Sequence, residues 1–172
     1  MNILFAGTPK PSAKILKALC DDPSINVVGV LTKPDKAQKR GKKLVQSPVG
    51  IEAQERNLTM FKPDDLNDLK LKQSIKALSV DFVVVAAYGK ILPKWLLDFP
   101  KIMPINIHYS LLPKYRGASP IQSSLLNGDC ISGITFMNMS EGLDDGDCIK
   151  QYEINIKKTH NKITLENDLC DL

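Results

Sequence analysis

The most constraining feature of the chain is the run Val80 to Ala87, eight residues with one acid and otherwise almost uninterrupted apolar, β-branched or aromatic side chains. A strand with one wet face alternates apolar and polar residues, so a continuous run of this length is read as a strand covered on both faces. Asn26 to Leu31 is a second such run, and Asn2 to Gly7 a third that stops at a glycine. Strands buried on both faces call for a parallel sheet with crossover helices, and the spacers supply helical patterns. After Gly7, Thr8 is placed to cap a helix with Pro9 as its first residue, and Ile15, Leu16 and Leu19 recur at helical spacing. Ser47-Pro48 opens a second helix, and Leu66, Leu69, Ile75 and Leu78 outline a third. The expected fold is α/β, a Rossmann-like, mostly parallel sheet with helices on both faces and right-handed crossovers.

The later half changes character. A short helix is expected around Trp95 to Leu97, and Pro104 to His108 alternates so that Ile105 and Ile107 share one face while Asn106 and His108 share the other. A helix near Ala118 to Leu126 is followed by strand-like runs at Ile131 to Met139 and Asp147 to Ile156, joined by the loop Ser140 to Gly146, and these read as an antiparallel pair. Leu165, Leu169 and Leu172 form a helical stripe without a stop signal, so Leu172 reads as a cut rather than a natural end.

Composition limits the class of protein. A chain of 172 residues, 43% hydrophobic and 24% charged, has the makings of one ordinary soluble domain. No stretch approaches the roughly 20 apolar residues that span a bilayer, and the N-terminal run is too short for a signal peptide, so a cytoplasmic protein without membrane association is expected. Cys20, Cys130, Cys148 and Cys170 are scattered with no C-x-x-C pair, which argues against a zinc ribbon, a redox motif or a disulfide framework. The net charge of +4 is concentrated in one place: Lys33 to Lys43 holds six cations against Asp35, a local charge of +5, so the rest of the chain sums to about −1. This segment is either a solvated surface loop or an arm that contacts a nucleic-acid backbone.

Three features bear on chemistry. The turn after the first strand, Phe5-Ala6-Gly7-Thr8-Pro9, has a single glycine, and neither G-x-G-x-x-G nor a P-loop occurs, which removes most support for dinucleotide or nucleoside triphosphate binding. Asn106 and His108 leave their strand on one side and are followed by Tyr109-Ser110-Leu111-Leu112-Pro113, a segment able to fold over a ligand. An amide donor that can steady an oxyanion and an imidazole that titrates near neutrality are what acyl transfer to an amine requires. An isolated histidine is more often structural. Gly142 to Asp147 is a glycine-bracketed acidic loop from which a carboxylate can approach His108; a calcium site there lacks the full ligand pattern, and a plain polar turn is the simpler alternative.

Taken together, Phe5 to Pro9, Arg40-Gly41-Lys42-Lys43, Ala87 to Pro93, Asn106-Ile107-His108, Ser110 to Gly117, Pro120-Ile121-Gln122 and Gly142-Leu143-Asp144 resemble the folate-dependent formyltransferases, over nearly the whole chain. The Asn-x-His, Ser-Leu-Leu-Pro and Leu-Asp motifs are shared across that family. The basic Arg-Gly-Lys-Lys segment and Gly-Ala-x-Pro-Ile-Gln resemble the N-terminal catalytic domain of the methionyl-tRNA formyltransferases within it. The resemblance implies transfer of a formyl group from 10-formyltetrahydrofolate to the amino group of methionine on initiator methionyl-tRNA, with no metal and no obligate protein partner. It implies that Asn106 polarises the formyl oxygen, that His108 manages the proton, and that Asp144 orients His108 or a bridging water. Ser110, Leu111, Leu112 and Pro113 would hold the tetrahydrofolate, helped by backbone near Lys90 and Leu92, while Lys39, Arg40, Lys42 and Lys43 would meet the tRNA acceptor stem. It also implies that residues 1–172 are a catalytic domain cut short, without the β-rich C-terminal domain that helps such enzymes bind tRNA. Lys10-Pro11, Tyr109 and Gln38-Lys39 depart from the family pattern; the first two bear on the lining of a methionine pocket, the third on the shape of the basic loop. The competing readings are a formyltransferase acting on an amino-sugar or purine-precursor amine, a non-catalytic folate- or RNA-binding fragment, and, more distantly, a plain NAD-binding domain.

Overall fold

In a computed structural model, residues 1–37 and 44–172 are described, and the chain divides into two compact units, Met1–Pro104 and Ile105–Leu172. The first unit holds four parallel strands in the order β5-β2-β1-β6: β1 (Asn2–Gly7), β2 (Asn26–Leu31), β5 (Met60–Phe61) and β6 (Phe82–Ala86). Its helices are α1 (Lys10–Asp21), α2 (Pro48–Glu55), α3 (Leu69–Lys76) and the single turn α4 (Lys94–Leu97). Two short strands, β3 (Lys36–Ala37) and β4 (Leu44–Val45), pair antiparallel on their own. The α/β, Rossmann-like class expected from the apolar runs is the class found, and the runs behave as predicted: Leu4, Phe5, Ala6, Val30, Leu31, Val83 and Ala86 have no exposed surface.

Local chemistry sets the element ends. Ser47 caps α2 by accepting from the Gly50 amide at 2.9 Å, and Asp68 caps α3 by accepting from the Leu71 amide at 2.9 Å. That aspartate excludes Leu66 from the third helix, and Leu78 lies past its C-cap Ala77, so the predicted outline from Leu66 to Leu78 is longer than the helix. At α1 the expected cap also moves by one residue. Pro9 is the N-cap, and the Thr8 hydroxyl instead donates to the carbonyl of Tyr88 at 2.8 Å. Ser12 donates from inside α1 to the carbonyl of Ala86 at 2.6 Å. β1 and β6 are neighbours from which the strand order runs outward through β2, so these two bonds fasten the carboxyl ends of adjacent strands, where open α/β sheets place ligands. Gly7 permits the approach: a Cβ there would sit 2.8 Å from the Ser12 Cβ.

The second unit is antiparallel. β7 (Met103–His108) pairs with β8 (Ile131–Asn138), and β8 with β9 (Cys148–Asn155). The hairpin of the two later strands is the antiparallel pair read from the sequence. Helix α5 (Pro120–Leu126) contacts α6 (Lys162–Cys170), and Ile121, Leu165 and Leu169 of these helices and Ile134 of β8 are buried, each no more than 3% exposed. Asn161 caps α6 through the amides of Ile163 and Thr164, and Leu172 lies outside the helix and is exposed. Tyr109 projects with the Ile107 face of the strand and donates or accepts at Cys170 Sγ of α6, 3.2 Å away. This contact fastens α6 to the segment that follows the strand. Burial and that contact push its phenol well above the ordinary tyrosine range.

Among the described residues no helix is long and apolar enough to cross a membrane, and the four cysteines form no disulfide.

Candidate active site

The register of β7 against β8 explains how polar groups gather on one face of the second unit. Asn106 lies opposite Met137 and His108 opposite Thr135, so these four side chains share a face, while Ile105 and Ile107 are turned the other way toward Asn138 and Phe136. The alternation read from the sequence therefore holds, and the two polar groups project together. His108 is 6% exposed, and Asn106 is half-buried.

Asp144 joins them from the loop between β8 and β9. One carboxylate oxygen, Oδ1, accepts from Asn106 Nδ2 at 3.2 Å; the other, Oδ2, accepts from the Gly117 amide at 2.8 Å and lies 3.6 Å from His108 Nδ1. That last separation is an ion-pair distance but too long for a hydrogen bond. The loop is drawn tight where Gly146 passes the Asn138 carbonyl, since a Cβ there would fall 1.8 Å from that oxygen. Asp144 has φ 48°, a left-handed conformation that non-glycine residues seldom adopt, and its two hydrogen bonds hold it there. Asn106 has two amide hydrogens and spends one on Asp144, which leaves one for a ligand. On the other side of its ring, His108 Nε2 faces the carbonyl of Tyr115 at 3.0 Å.

The segment Ser110 to Pro113 is held by its main chain. Thr135, fully buried, donates its hydroxyl to the Ser110 carbonyl at 2.6 Å and accepts from the Leu112 amide at 3.1 Å. Gln151 of β9 donates to that same hydroxyl oxygen and to the Leu112 carbonyl, both at 2.9 Å. Ser110 itself donates to the Lys114 carbonyl at 2.6 Å, closing the turn, and Leu111 settles over Gly133, where a Cβ would lie 2.5 Å from its Cδ2. The Leu112–Pro113 peptide is cis. A cavity of about 370 Å³ abuts the same segment, lined by Leu111, Pro113, Lys114, Tyr115, Asp129 and Ser132 among others.

The remaining predicted positions lie elsewhere. Lys90 and Leu92 belong to the first unit, where Lys90 Nζ donates to the carbonyls of Pro63 and Asp64, each at 2.7 Å, and Leu92 is buried. The Lys90 ammonium is thus a brace between two loops, and the expectation placed only its backbone near a ligand. Next to it, the Tyr88 phenol is pushed up to about 12 by burial. Lys39, Arg40, Lys42 and Lys43 lie outside the described residues. Asp35, the one acid of the basic segment, is paired with Lys62 at 2.6 Å, so its charge is already engaged. Sequence reasoning missed Thr135, Gln151, Tyr115 and Gly117. Tyr115 and Gly117 stood inside a quoted motif, but Thr135 and Gln151 carry no signal short of the strand register.

Comparison with known proteins bears on the family and on the fold. Residues 1–172 match the Formyl transferase family model from end to end. The chain is 44% identical to the methionyl-tRNA formyltransferase of Prochlorococcus marinus subsp. pastoris, over all of this chain and 52% of that relative, so it spans about half the relative's length. Among solved structures, phosphoribosylglycinamide formyltransferase from Bacillus halodurans superposes with a TM-score of 0.77 at 21% identity, covering 98% of this chain and 87% of that one. A sugar N-formyltransferase from a Shewanella species gives 0.69 at 22% identity, covering 99% and 64%. The two structural likenesses concern the fold.

Proposed function

Because the chain belongs to the formyl transferase family, we propose that it carries the catalytic machinery for moving a formyl group from 10-formyltetrahydrofolate to the α-amino group of methionine on initiator methionyl-tRNA. The observation that carries this reading is the convergence of Asn106, His108 and Asp144 on one face, with one amide hydrogen of Asn106 uncommitted. The amine nitrogen attacks the formyl carbon, and as the new C–N bond forms the carbonyl oxygen gains negative charge. Asn106 donates to that oxygen. His108 accepts the proton that the nitrogen sheds, Asp144 steadies the resulting imidazolium, and the proton then goes to the departing folate nitrogen as its bond to the formyl carbon breaks. The products are a formylated amine and tetrahydrofolate, with atoms and charge balanced. An α-amino group, with a pKa of about 7.7–8.0, keeps a usable neutral fraction near pH 7, so the nucleophile needs only modest activation.

Ser110 to Pro113 is the segment assigned to the folate, with backbone at Lys90 and Leu92 contributing. The cationic run Lys39, Arg40, Lys42 and Lys43 is assigned to the tRNA phosphates. Asp35, the acid of the basic segment Lys33 to Lys43, is paired with Lys62. The choice of tRNA over a small amine rests on the 44% identical relative and on that basic segment.

The test is formylation of methionyl initiator tRNA by the 172-residue chain with 10-formyltetrahydrofolate at low salt, beside a His108→Ala control. Transfer that the substitution abolishes is the expected result. Transfer to an amino-sugar or a purine precursor, undiminished by salt and with no transfer to the tRNA, would move the acceptor to the small-amine class.

A further inference from the structure

We propose that Tyr115 is a positioning residue for His108: its main-chain carbonyl fixes the imidazole as the Nε2–H tautomer, its hydroxyl is anchored by Asp129 and Asn127, and the basic atom of the site is therefore Nδ1. A carbonyl oxygen only accepts, so the 3.0 Å contact between Tyr115 O and His108 Nε2 requires the proton on Nε2. The neutral ring then turns an unprotonated Nδ1 toward Asp144 Oδ2 at 3.6 Å. A carboxylate also only accepts, so this side of the ring has no bond at rest. It becomes a favourable ion pair at the moment Nδ1 gains a proton, which is the moment an acyl transfer needs it. The part of this inference that concerns rate rests on the function proposed above; the part that concerns the ring does not.

The carbonyl is held in place by an arrangement remote from the reacting groups. Tyr115 has φ 57°, a left-handed conformation costly for a residue with a side chain. Its ring leads away from His108 and ends in two hydrogen bonds: its hydroxyl donates to Asp129 Oδ2 at 2.7 Å and accepts from Asn127 Nδ2 at 3.0 Å. Lys114 Nζ stands 4.0 Å from the same Asp129 oxygen. On the N-terminal side the Ser110 hydroxyl fixes the Lys114 carbonyl. Two residues further on, the Gly117 amide holds Asp144 Oδ2. One short stretch thus sets the orientation of both the imidazole and its carboxylate, by main-chain atoms alone. Asp129 and Asn127, at the end of α5, become part of the site without touching a reacting group.

The experiment reads the ring nitrogens directly. The chain has two histidines, and the second supplies an internal control: His160 Nδ1 accepts from the Lys157 amide at 3.1 Å and Nε2 faces Asp168 at 3.1 Å, far along the chain from Tyr115. Nitrogen-15 spectra of the uniformly labelled 172-residue chain, at a pH where both rings are neutral, are compared with those of Tyr115→Phe and Asp129→Asn. In the unsubstituted chain His108 is expected to carry its proton on Nε2, with that proton protected from solvent exchange. In both variants the Nε2 proton should exchange at least about tenfold faster, with the His160 signals unmoved, and kcat should fall by about tenfold with the KM for 10-formyltetrahydrofolate little changed. A His108 proton on Nδ1 in the unsubstituted chain overturns the proposal. So does unchanged Nε2–H protection in both variants. If the ring results hold but no formyl transfer occurs in any form of the chain, the anchor stands and the functional reading fails.

Discussion

Thr135 stands directly across the antiparallel ladder from His108, and its hydroxyl grips the carbonyl of Ser110, two residues beyond that histidine. The catalytic candidate and the segment assigned to the folate are therefore referenced to one buried atom. Replacing Thr135 with valine conserves shape but leaves the Ser110 carbonyl, the Leu112 amide and the Gln151 amide without that partner. Unsatisfied buried groups cost about 1–3 kcal/mol, so urea unfolding of Thr135→Val should show a loss in that range, with a weaker affinity for 10-formyltetrahydrofolate. Thr135→Ser, which keeps the hydroxyl, should recover most of both.

Asn106 offers the ligand one amide hydrogen while the other is spent on Asp144. If that hydrogen meets the oxyanion, Asn106→Ala lowers kcat by about 10²–10³, the usual loss for one oxyanion donor. The KM for the folate should change far less. Single-turnover transfer rates at saturating donor check this, and an unchanged rate would remove Asn106 from the chemistry.

At Gly133 both β9 and Leu111 press close on β8. A Cβ there would lie 2.1 Å from the Tyr152 carbonyl and 2.5 Å from Leu111 Cδ2. Gly133→Ala must push the strand or the loop aside, at a cost of about 1–3 kcal/mol by the general cost of overpacking. Thermal unfolding and the folate titration, run together, show whether the loop moves before the strand does.

Burial raises the Tyr88 phenol to about 12, against 10 for an exposed tyrosine. The sign follows from linkage. The folded state holds that proton more tightly than the unfolded chain, so the contribution is complete below pH 10 and is lost as pH rises from there through about 12. Tyr109, also raised by burial, acts in the same direction. Urea midpoints measured between pH 9 and pH 12 should fall, and Tyr88→Phe should flatten part of that fall, since it has no proton to lose.

How much of this was legible in the sequence depended on whether the determining interaction was local. Asn26 to Leu31 and α2 appear at their predicted places, because an apolar run ends where polar residues begin and Ser47 accepts from an amide three residues on. The pairing of Asn106 with His108 on one face required only the two-residue period of a strand. β5, two residues long at Met60–Phe61, has no period to read, and its existence depends on Val30 and Leu31 beside it. The cap at α1 was misplaced because Thr8 was claimed by the Tyr88 carbonyl, eighty residues away. Thr135 and Gln151 were invisible for the same reason: each binds a carbonyl of Ser110 or Leu112 brought near by register, and nothing in residue type announces which carbonyl a side chain will reach. Tyr115 stood inside a quoted motif, but that its carbonyl faces His108 depends on a turn.

The grip on Ser110 to Pro113 is exerted almost wholly on peptide groups, by two side chains that belong to β8 and β9. The segment behaves like a blade in a fixed handle: the edge it presents can be changed residue by residue, at Leu112 or Pro113, while its seat stays put. Under the proposed function, retuning the donor means editing the blade and leaving Thr135 and Gln151 alone.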